Sequence, residues 1–438
     1  MHIYQYCEMN SFIIITSVIV SVLCAILTSL QHYYSIKYFK EPVIRYDPPL
    51  FDDFIPTDDT SLSYYSLEDD TILQGLSDVL DPPKLHENTR EQATETEVHN
   101  TLQAALAFHI TGKINKAMKL FEHAAAMAPS DADVLNKYGE FLEKTQKDVV
   151  TADELYFKAL TYSPDHPAAL MNRRRTAQVV DKLDLEMLKM IDNKRDNLKE
   201  MFSKNSFDSI KKQAYFLHIY HTVGIEGNTM TIDQLKYLLE TGQVVSGKSI
   251  IEHNEVIGLQ LAMKYVKLLT RKNYISVNDI LGIHRRAMGH VDPVKSGRFR
   301  NEKVFIGKHI PPPPKELPSL MEAYEYWLNS EEAQQLHPVR YAALAHYKLV
   351  DIHPFHDGNG RTSRLVMNLI LIRAGYPPVM VLKDQREKYY DALNAANLGD
   401  VRPFVRFIAQ CTIQILDMYM YGTEVMSIGN VEKEIINY

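Results

Sequence analysis

The chain of 438 residues has little cysteine: only Cys7, Cys24 and Cys411 are present. Three thiols this far apart exclude a disulfide-stapled scaffold and a cysteine-ligated zinc site, which needs several thiolates at short spacing. Positive charge is also scarce, because 48 lysines and arginines face 55 aspartates and glutamates, giving a net charge of −7. This balance argues against a protein whose affinity comes from neutralising phosphates, so we expect no nucleic-acid partner.

One long hydrophobic run is present, at residues 12–30. It carries no charge and is close to the roughly 20 residues that cross a bilayer as a helix. Residues 1–11 contain no lysine or arginine, and no small-residue cleavage site precedes the bulky residues that follow the run. We therefore predict an uncleaved signal anchor and not a cleaved signal peptide. Lys37, Lys40 and Arg45 follow the run, and the positive-inside rule would place the rest of the chain in the cytosol.

The part that follows is predicted to be a tether and then a tandem repeat. Residues 31–97 are rich in proline and acidic residues, without a sustained period, which indicates a flexible spacer. Residues 98–131 and 132–166 then resemble two tetratricopeptide units, each of about 34 residues. The small, large and terminal positions of the first unit are Ala105, Phe108, Ala117, Phe121, Ala124 and Pro129. The corresponding positions of the second unit, which has one extra residue in its hairpin, are Gly139, Leu142, Ala152, Tyr156, Ala159 and Pro164. Two units are fewer than such stacks usually need, so we expect a linker helix over 167–205 to cap them.

Helical periods dominate the remaining residues, in a region 206–275, a core 276–412 and a tail 413–438. The predicted helices are 209–225, 232–240, 249–269, 277–288, 317–328, 338–352, 361–374 and 403–421. Residues 297–314 are predicted to form a short β-hairpin. The predicted fold is therefore mainly α: a signal-anchor helix, two tetratricopeptide hairpins, a linker helix and an all-α core with a β-hairpin flap.

Two segments compete as phosphate sites. Residues 242–249, GQVVSGKS, match the P-loop pattern, but no hydrophobic strand precedes them. We interpret them as a loop between helices, and a kinase that uses Lys248 stays the weakest alternative. Residues 353–364, HPFHDGNGRTSR, place a tight glycine turn before a helix and two arginines, Arg361 and Arg364, on its first turn. Cations oppose the helix dipole there, and a bound anion would explain both arginines and both glycines.

Two more residues of that segment suit chemistry on a phosphate. Asp357 is placed to hold a Mg²⁺ ion that bridges phosphate oxygens. His353 can act as a general base at neutral pH. By contrast, we interpret His284, His290, His337 and His346 as packed or surface histidines, since none shares a metal-binding spacing with an acid. The basic run 173–175 is interpreted as a solvated helix face.

The segment 353–364 matches the Fic family signature HPFx(D/E)GNGRxxR at every defining position. In addition, residues 222–227, TVGIEG, resemble the inhibitory helix motif (S/T)xxxE(G/N) of that family. With the anchor and the repeats in this order, the chain is similar to animal Fic enzymes of the endoplasmic reticulum. The resemblance implies transfer of AMP from ATP to a protein hydroxyl, a reverse removal of AMP, and a lumenal Hsp70-type chaperone as the target. It also implies a type II membrane protein and a homodimer, against the charge bias around the anchor.

The resemblance assigns roles by position. His353 would deprotonate the target hydroxyl, and Asp357 would bind Mg²⁺ or Mn²⁺. Glu226 would restrain AMP transfer and take part in AMP removal. The implied ATP-binding residues are Glu226, the flap residues Ile306, Gly307, Lys308 and His309, the signature residues Asp357, Gly358, Asn359, Gly360, Arg361, Thr362, Ser363 and Arg364, and Tyr389 and Asn397 beside the adenine and ribose.

The residues themselves predict one contact. Glu226 ends a helix and Arg364 lies near the start of another, so each opposes its own helix dipole. An ion pair between the two would compensate both unfavourable dipole interactions. It would also engage the guanidinium that a phosphate would otherwise bind. Besides the enzyme, a tetratricopeptide scaffold that only switches with nucleotide stays open, although a pure binder has no use for His353.

Overall fold

A computed structural model describes residues 95–204, 208–307 and 309–436. These residues form fifteen α-helices and no β-strand, which confirms the mainly α fold. The predicted anchor 12–30 and nearly all of the tether lie outside the described residues. Within the described ranges, no helix is both long and apolar enough to cross a membrane.

The first four helices form two antiparallel hairpins. They are α1 (Glu95–Ile110), α2 (Ile114–Met127), α3 (Ala132–Phe141) and α4 (Val149–Tyr162). Ala117 and Phe121 of α2 are fully buried, and the Phe121 ring packs on Tyr138 and Phe141 of α3. In the second hairpin, a Cβ on Gly139 would lie 2.6 Å from the Tyr156 ring, so glycine is what lets α3 and α4 approach closely. Small residues thus let neighbouring helices approach closely, and aromatic rings fill the space beside them.

The extra residue of the second repeat lies in a π-helical turn, Leu142–Gln146, at the end of α3. A π-turn contains one more residue than an α-turn, which is how the chain accommodates an insertion without breaking the helix. The turn ends at Lys147, whose φ of 57° is left-handed. The repeat residues before this turn are therefore offset by one from those after it.

A single long helix, α5 (Pro167–Lys204), joins the repeats to the rest of the molecule. Its basic run is a solvated face only in part: Arg174 is exposed, whereas Arg173 and Arg175 make ion pairs. Arg173 pairs with the buried Asp153 of α4, and Arg175 Nη2 donates to Glu143 Oε2 at 2.8 Å. At the far end of α5, Arg195 Nη1 donates to the hydroxyl of Tyr376 at 3.0 Å. The helix therefore packs on α4 near its start and on the second body near its end.

The second body holds the other ten helices around one core. Its central pair is α12 (Pro338–Ile352) and α13 (Asn359–Arg373), and every residue of α13 from Arg361 to Ile372 is buried. The surrounding helices are α6 (Asp208–Ile225), α7 (Ile232–Thr241), α8 (Ile250–Leu269), α9 (Val277–Met288), α10 (Leu317–Leu328), α11 (Glu331–Gln334), α14 (Arg386–Asn397) and α15 (Arg402–Ile436), with 3₁₀ turns at Pro314–Glu316 and Lys383–Gln385. The signature segment therefore joins the two central helices.

The GQVVSGKS segment is a connector between α7 and α8. Gly242 ends α7 with a φ of 69°, and Ser249 caps α8 through a reciprocal pair of hydrogen bonds with Glu252. Lys248 Nζ donates to the carbonyl oxygen of Thr229 at 2.8 Å. Since a helix and not a strand leads into the loop, the P-loop alternative is contradicted.

The predicted hairpin over 297–314 is reduced to a tight turn. One antiparallel bridge joins Ile306 and His309, with backbone hydrogen bonds of 3.1 and 2.9 Å. Residues 311–314 are all proline and have no N–H groups, so the pairing cannot extend along that side. Lys308 lies outside the described residues. We call residues 301–313 the flap.

Candidate active site

His353 ends α12 in a left-handed conformation, with φ 49° and ψ 59°. Its Nδ1 lies 3.3 Å from the carbonyl oxygen of Val350, and because a carbonyl only accepts, Nδ1 carries the proton. The Nε2 lone pair is then free to accept a proton. Burial lowers the pKa of His353 to about 4, and the charges of Arg300 and His309 act in the same direction. The imidazole is therefore neutral at pH 7, as a general base must be.

The side chain of Asn359, which the family resemblance assigns to ATP binding, instead holds the loop after His353 in place. Asn359 Nδ2 donates to the Phe355 carbonyl, and Asn359 Oδ1 accepts from the Phe355 N–H, both at 2.9 Å. Gly358 has a φ of 74°, and a Cβ there would lie 2.6 Å from Met288 Cγ. The side chain of Asn359 is thus committed to the loop, and its backbone N–H is the group it can offer to a phosphate.

His284 fixes the same loop from α9. Its ring stacks on Phe355 with centroids 3.7 Å apart. Nδ1 accepts from the Gly297 N–H at 2.8 Å, so Nε2 carries the proton and donates to the Asp357 carbonyl at 2.9 Å. Burial lowers the pKa of His284 to about 4 and keeps this neutral form. The sequence prediction of a packed histidine is confirmed, but the contact with the signature loop was missed.

The start of α13 is arranged for an anion. No side chain caps this N-terminus, where Gly358 precedes the first turn. Several buried polar atoms around it have no hydrogen-bond partner among the described residues: Arg361 Nε, Thr362 Oγ1, Ser363 Oγ, and Arg364 Nε and Nη1. An unpaired buried polar group costs about 1–3 kcal/mol, so a ligand that supplied hydrogen bonds to this cluster would be stabilised. Uncapped N–H groups at the positive end of a helix dipole favour a phosphate.

Arg361 is held by two carboxylates. Its Nη1 lies 3.3 Å from Glu255 Oε1 and its Nη2 lies 3.1 Å from Asp357 Oδ2. The other oxygen of Glu255 accepts from Asn228 Nδ2 at 2.9 Å. Burial raises the pKa of Glu255. Glu255 and Asn228 were missed by the sequence analysis, since neither belongs to a motif.

The predicted contact between Glu226 and Arg364 is confirmed. Glu226 follows the last residue of α6 and accepts from Arg364 Nη2, which also donates to the Thr222 carbonyl at 3.2 Å. Burial opposes the charge of Arg364, but Glu226 holds the pKa of the guanidinium above its ordinary value. The buried His218 has a pKa lowered to about 3 by burial and by the charge of Arg364. Arg364 therefore stays charged at neutral pH, while the neighbouring His218 stays neutral.

The remaining predicted site residues are spread around this cluster. Tyr389 is buried, lies 5.9 Å from the Arg364 guanidinium and contacts His346 Nε2 through its hydroxyl at 3.1 Å. Asn397 is exposed at the last residue of α14. Nε2 of His309 in the flap lies 3.3 Å from the carbonyl oxygen of Asp351, two residues before His353. No group of three or more His, Cys, Asp or Glu residues in the described ranges is arranged for a metal ion.

Comparison with known proteins gives consistent results. The Fic/DOC family matches residues 274–371. The protein adenylyltransferase Fic of Drosophila erecta is 56% identical over 335 residues, which cover 76% of this chain and 68% of that protein. The same protein of Drosophila melanogaster is also 56% identical, with the same coverage.

A solved structure of a similar protein is also known. A fragment of Fic-1 from C. elegans superposes with a TM-score of 0.70 at 38% identity and covers 75% of this chain and 99% of that fragment. A glutamate-to-glycine variant of the same fragment superposes with a TM-score of 0.67 at 39% identity, covering 74% of this chain and 98% of that one.

Proposed function

The chain belongs to the Fic/DOC family and is a protein adenylyltransferase with ATP as the AMP donor, and we propose that Glu226 controls this activity in both directions. The observation that carries the proposal is the contact between Glu226 and Arg364. The acceptor is a Ser or Thr hydroxyl of a protein, and the target class is an Hsp70-type chaperone. The enzymatic names of the relatives favour catalysis over a scaffold that only switches with nucleotide.

In the forward direction, Nε2 of His353 takes the proton of the acceptor hydroxyl. The oxygen then attacks the α-phosphorus, the bond to the β-phosphate breaks, and pyrophosphate leaves. The N-terminus of α13 and the guanidinium of Arg361 neutralise the phosphates, which is the main contribution that such transfers need. A neutral imidazole with a free Nε2 supports this role for His353.

A divalent ion such as Mg²⁺ or Mn²⁺ fits the site through one carboxylate. The Asp357 side chain is 64% exposed at the start of α13, and no second acid there completes an all-protein cage in the described residues. Magnesium in nucleotide sites is commonly held by one or two carboxylates together with phosphate oxygens. Asp357 would hold the ion, which would neutralise phosphate charge.

Glu226 restrains the forward reaction because it pairs with the guanidinium of Arg364, which would otherwise bind the γ-phosphate. ATP can then bind only in a pose that does not align the α-phosphorus with the acceptor. In the reverse direction, the same carboxylate takes a proton from water, and the resulting attack on the AMP–protein phosphodiester releases AMP and the free hydroxyl. One side chain would thus restrain transfer and promote removal.

The proposed location is the lumen of the endoplasmic reticulum, in a type II orientation. Its support is the apolar run 12–30 and the family resemblance, while Lys37, Lys40 and Arg45 point the other way. The sequence has no Asn-x-Ser/Thr site that would report the topology by glycosylation. Protease digestion of sealed microsomes tests the location: cleavage of the core without detergent contradicts a lumenal body.

The proposed homodimer has support at the connection between α7 and α8. Val244 and Ile250 expose 78% and 76% of their surface there, close to the partly exposed Ile251. Adjacent exposed apolar side chains on a soluble surface favour association. Sedimentation of the wild type should therefore show a dimer, and Ile250→Lys should shift it toward the monomer. Equal sedimentation of the two proteins would contradict this interface.

Labelled ATP tests the proposed reaction. The residues from 95 onward, or the full chain in detergent, are incubated with an Hsp70-type chaperone and with ATP labelled at the α- or, separately, the γ-phosphate. We expect label on the chaperone from the α-position alone, and none with His353→Ala. Label from the γ-position would mean phosphorylation and would contradict the assignment, and label on the enzyme alone would contradict the target.

A further inference from the structure

Arg300 links the flap to the catalytic loop. Its side chain is buried and donates to three backbone carbonyls: Nε to His353 at 2.7 Å, Nη1 to Glu302 at 3.0 Å and Nη2 to Pro312 at 2.6 Å. Its own N–H donates to the carbonyl of Pro354 at 2.9 Å. Glu302 and Pro312 stand at the two ends of the flap, so one guanidinium holds both ends of the flap and the carbonyl of the general base.

The chemistry of Arg300 is unusual for a buried cation. Among the described residues, no carboxylate lies within ion-pair distance of it, and carbonyl oxygens alone satisfy its charge. Burial accordingly lowers the pKa of Arg300. Burying a charge without an opposite charge lowers the stability of the fold. An apolar side chain would lower it less, if the only role of residue 300 were to fill space. What the guanidinium adds is a planar fork that fixes the directions of several acceptors at once.

The backbone of His353, whose carbonyl oxygen accepts from Arg300, needs such a constraint. A residue other than glycine with a φ of 49° is uncommon, and the surrounding structure must hold it in place. The Arg300 contact fixes the peptide group that leaves His353 and thereby the direction of the imidazole. Because the same guanidinium holds the flap, a displacement of the flap moves the base with it.

We propose that Arg300 is a positioning residue for AMP transfer: it holds the flap and His353 as one unit and so fixes the base relative to a hydroxyl that lies against the flap. This inference rests on the proposed roles of His353 and of the flap. Arg300 does not touch the phosphates, whose site at the start of α13 is built from other residues. Its removal should therefore lower the rate of the chemical step more than the affinity for ATP.

The charge of Arg300 provides a second readout. The charged and titratable groups around His353 are Arg300 and His309, which lower its pKa, and Asp357, which raises it. Loss of the Arg300 charge should move the acid limb of the rate profile to higher pH. Exposure of the imidazole would move the limb in the same direction, so the comparison that isolates the charge is Arg300→Lys, which alters the contacts but keeps the charge.

Three variants test the proposal, each with Glu226 intact and with Glu226→Gly. Arg300→Met keeps the aliphatic stem without the donors, Arg300→Lys keeps the charge without the fork, and Arg298→Met is the control on the exposed arginine two residues away. The readouts are kcat and KM for ATP, from α-label on any polypeptide in the mixture, together with the pH profile and the melting temperature. His353→Ala sets the baseline.

We expect Arg300→Met to lower kcat about 10- to 100-fold, with KM for ATP changed less than about threefold, and to raise the pH of the acid limb. Arg300→Lys should lower kcat as well but leave the limb in place, and it serves as the test if Arg300→Met does not fold. Arg298→Met should match the parent. An unchanged kcat in the folded Arg300 variants, or an equal loss of ATP affinity, overturns the proposal. If His353→Ala is itself active, the proposed base is wrong whatever the Arg300 variants do.

Discussion

Glu226 lies against Gly360 at the start of α13. A Cβ on Gly360 would lie 3.0 Å from Glu226 Oε1 and 3.1 Å from Arg364 Nη1, closer than side chains normally pack. The ion pair between the two helices therefore occupies the space that a side chain at position 360 would fill. Glycine at position 360 thus leaves room for the contact between Glu226 and Arg364, and it also leaves the start of the helix open to a phosphate.

Gly360→Ala should consequently impair the site in two ways. The methyl group would push the paired side chains back by a few tenths of an ångström, and it would also shield the N-terminus of α13 from phosphate. We expect ATP affinity to fall by at least about tenfold, which is about 1.4 kcal/mol, as measured by calorimetry. The same substitution in the Glu226→Gly protein separates the two effects, because the carboxylate is then absent. Unchanged ATP binding in that background would show that the space at Gly360 is not used by phosphate.

Glu226→Gly should raise the rate of AMP transfer by at least an order of magnitude, about 1.4 kcal/mol in activation free energy, and should abolish AMP removal. The reason is that Arg364 becomes available to the γ-phosphate while the carboxylate that activates water is lost. Both rates are measured on one chaperone preparation, with the exposed Glu322→Gln as a control. A variant that transfers no faster than the wild type, or that still removes AMP, would place the restraint elsewhere.

His353→Ala should abolish transfer and leave nucleotide binding nearly unchanged. In the proposed mechanism the imidazole acts on the incoming hydroxyl, while the phosphates bind at the start of α13. Loss of general base assistance alone is worth about 10²–10⁴-fold in rate. The comparison requires a binding measurement with ATP and a transfer assay on the same protein. Near wild-type transfer would rule out His353 as the base.

The rate of transfer should be insensitive to pH over the neutral range. The base is active when neutral, and because burial lowers its pKa to about 4, His353 stays neutral from pH 8 down to about pH 5.5. Below about pH 4 the rate should fall tenfold per pH unit. Initial rates of the Glu226→Gly protein give this profile, and circular dichroism confirms that the fold persists at each pH. A decline centred near pH 6.5 would indicate an ordinary, exposed histidine as the base.

Asp153 should be the most sensitive residue at the junction of the two bodies. It is fully buried, pairs with Arg173 of α5 and Arg402 of α15, and accepts from Thr176 Oγ1 at 2.6 Å. Asp153→Ala leaves Arg173 without its carboxylate and Arg402 with Asp400 alone, a loss of up to about 3–5 kcal/mol. Urea unfolding should show a lower midpoint than the wild type, while the exposed Asp165→Ala should change it little. Equal midpoints for the two variants would contradict this role.

The helices were predictable where apolar period and capping residues agree. Val277–Met288, Leu317–Leu328 and Pro338–Ile352 begin and end where the sequence predicts. Helix α13 begins two residues before its predicted start at Arg361, because Asn359 and Gly360 already belong to its first turn. The predicted flap hairpin was too long, since prolines can continue an extended pattern but cannot pair.

The site was predictable only where a motif carries it. The contact between Glu226 and Arg364 follows from two charges that each oppose their own helix dipole, although 138 positions separate the residues. His284 and Arg300 act on backbone carbonyls, and every residue has a carbonyl, so no sequence pattern marks their partners. The ion pairs of the basic run 173–175 were missed for a similar reason: the partners Asp153 and Glu143 lie in the second repeat unit, and no pattern within α5 marks them.

Helix α5 fixes how the repeats face the catalytic body. It runs for 38 residues, with its only proline at the first position and no glycine, so it spans about 57 Å as one rod. Successive residues of an α-helix are rotated by about 100° about its axis. The insertion or loss of a single residue in its middle would therefore swing the repeats a quarter turn or more around the core and separate Asp153 from Arg402. The number of residues in this helix thus sets the rotation of the repeats about its axis. A deletion that keeps the repeats facing Arg402 must remove nearly whole helical turns.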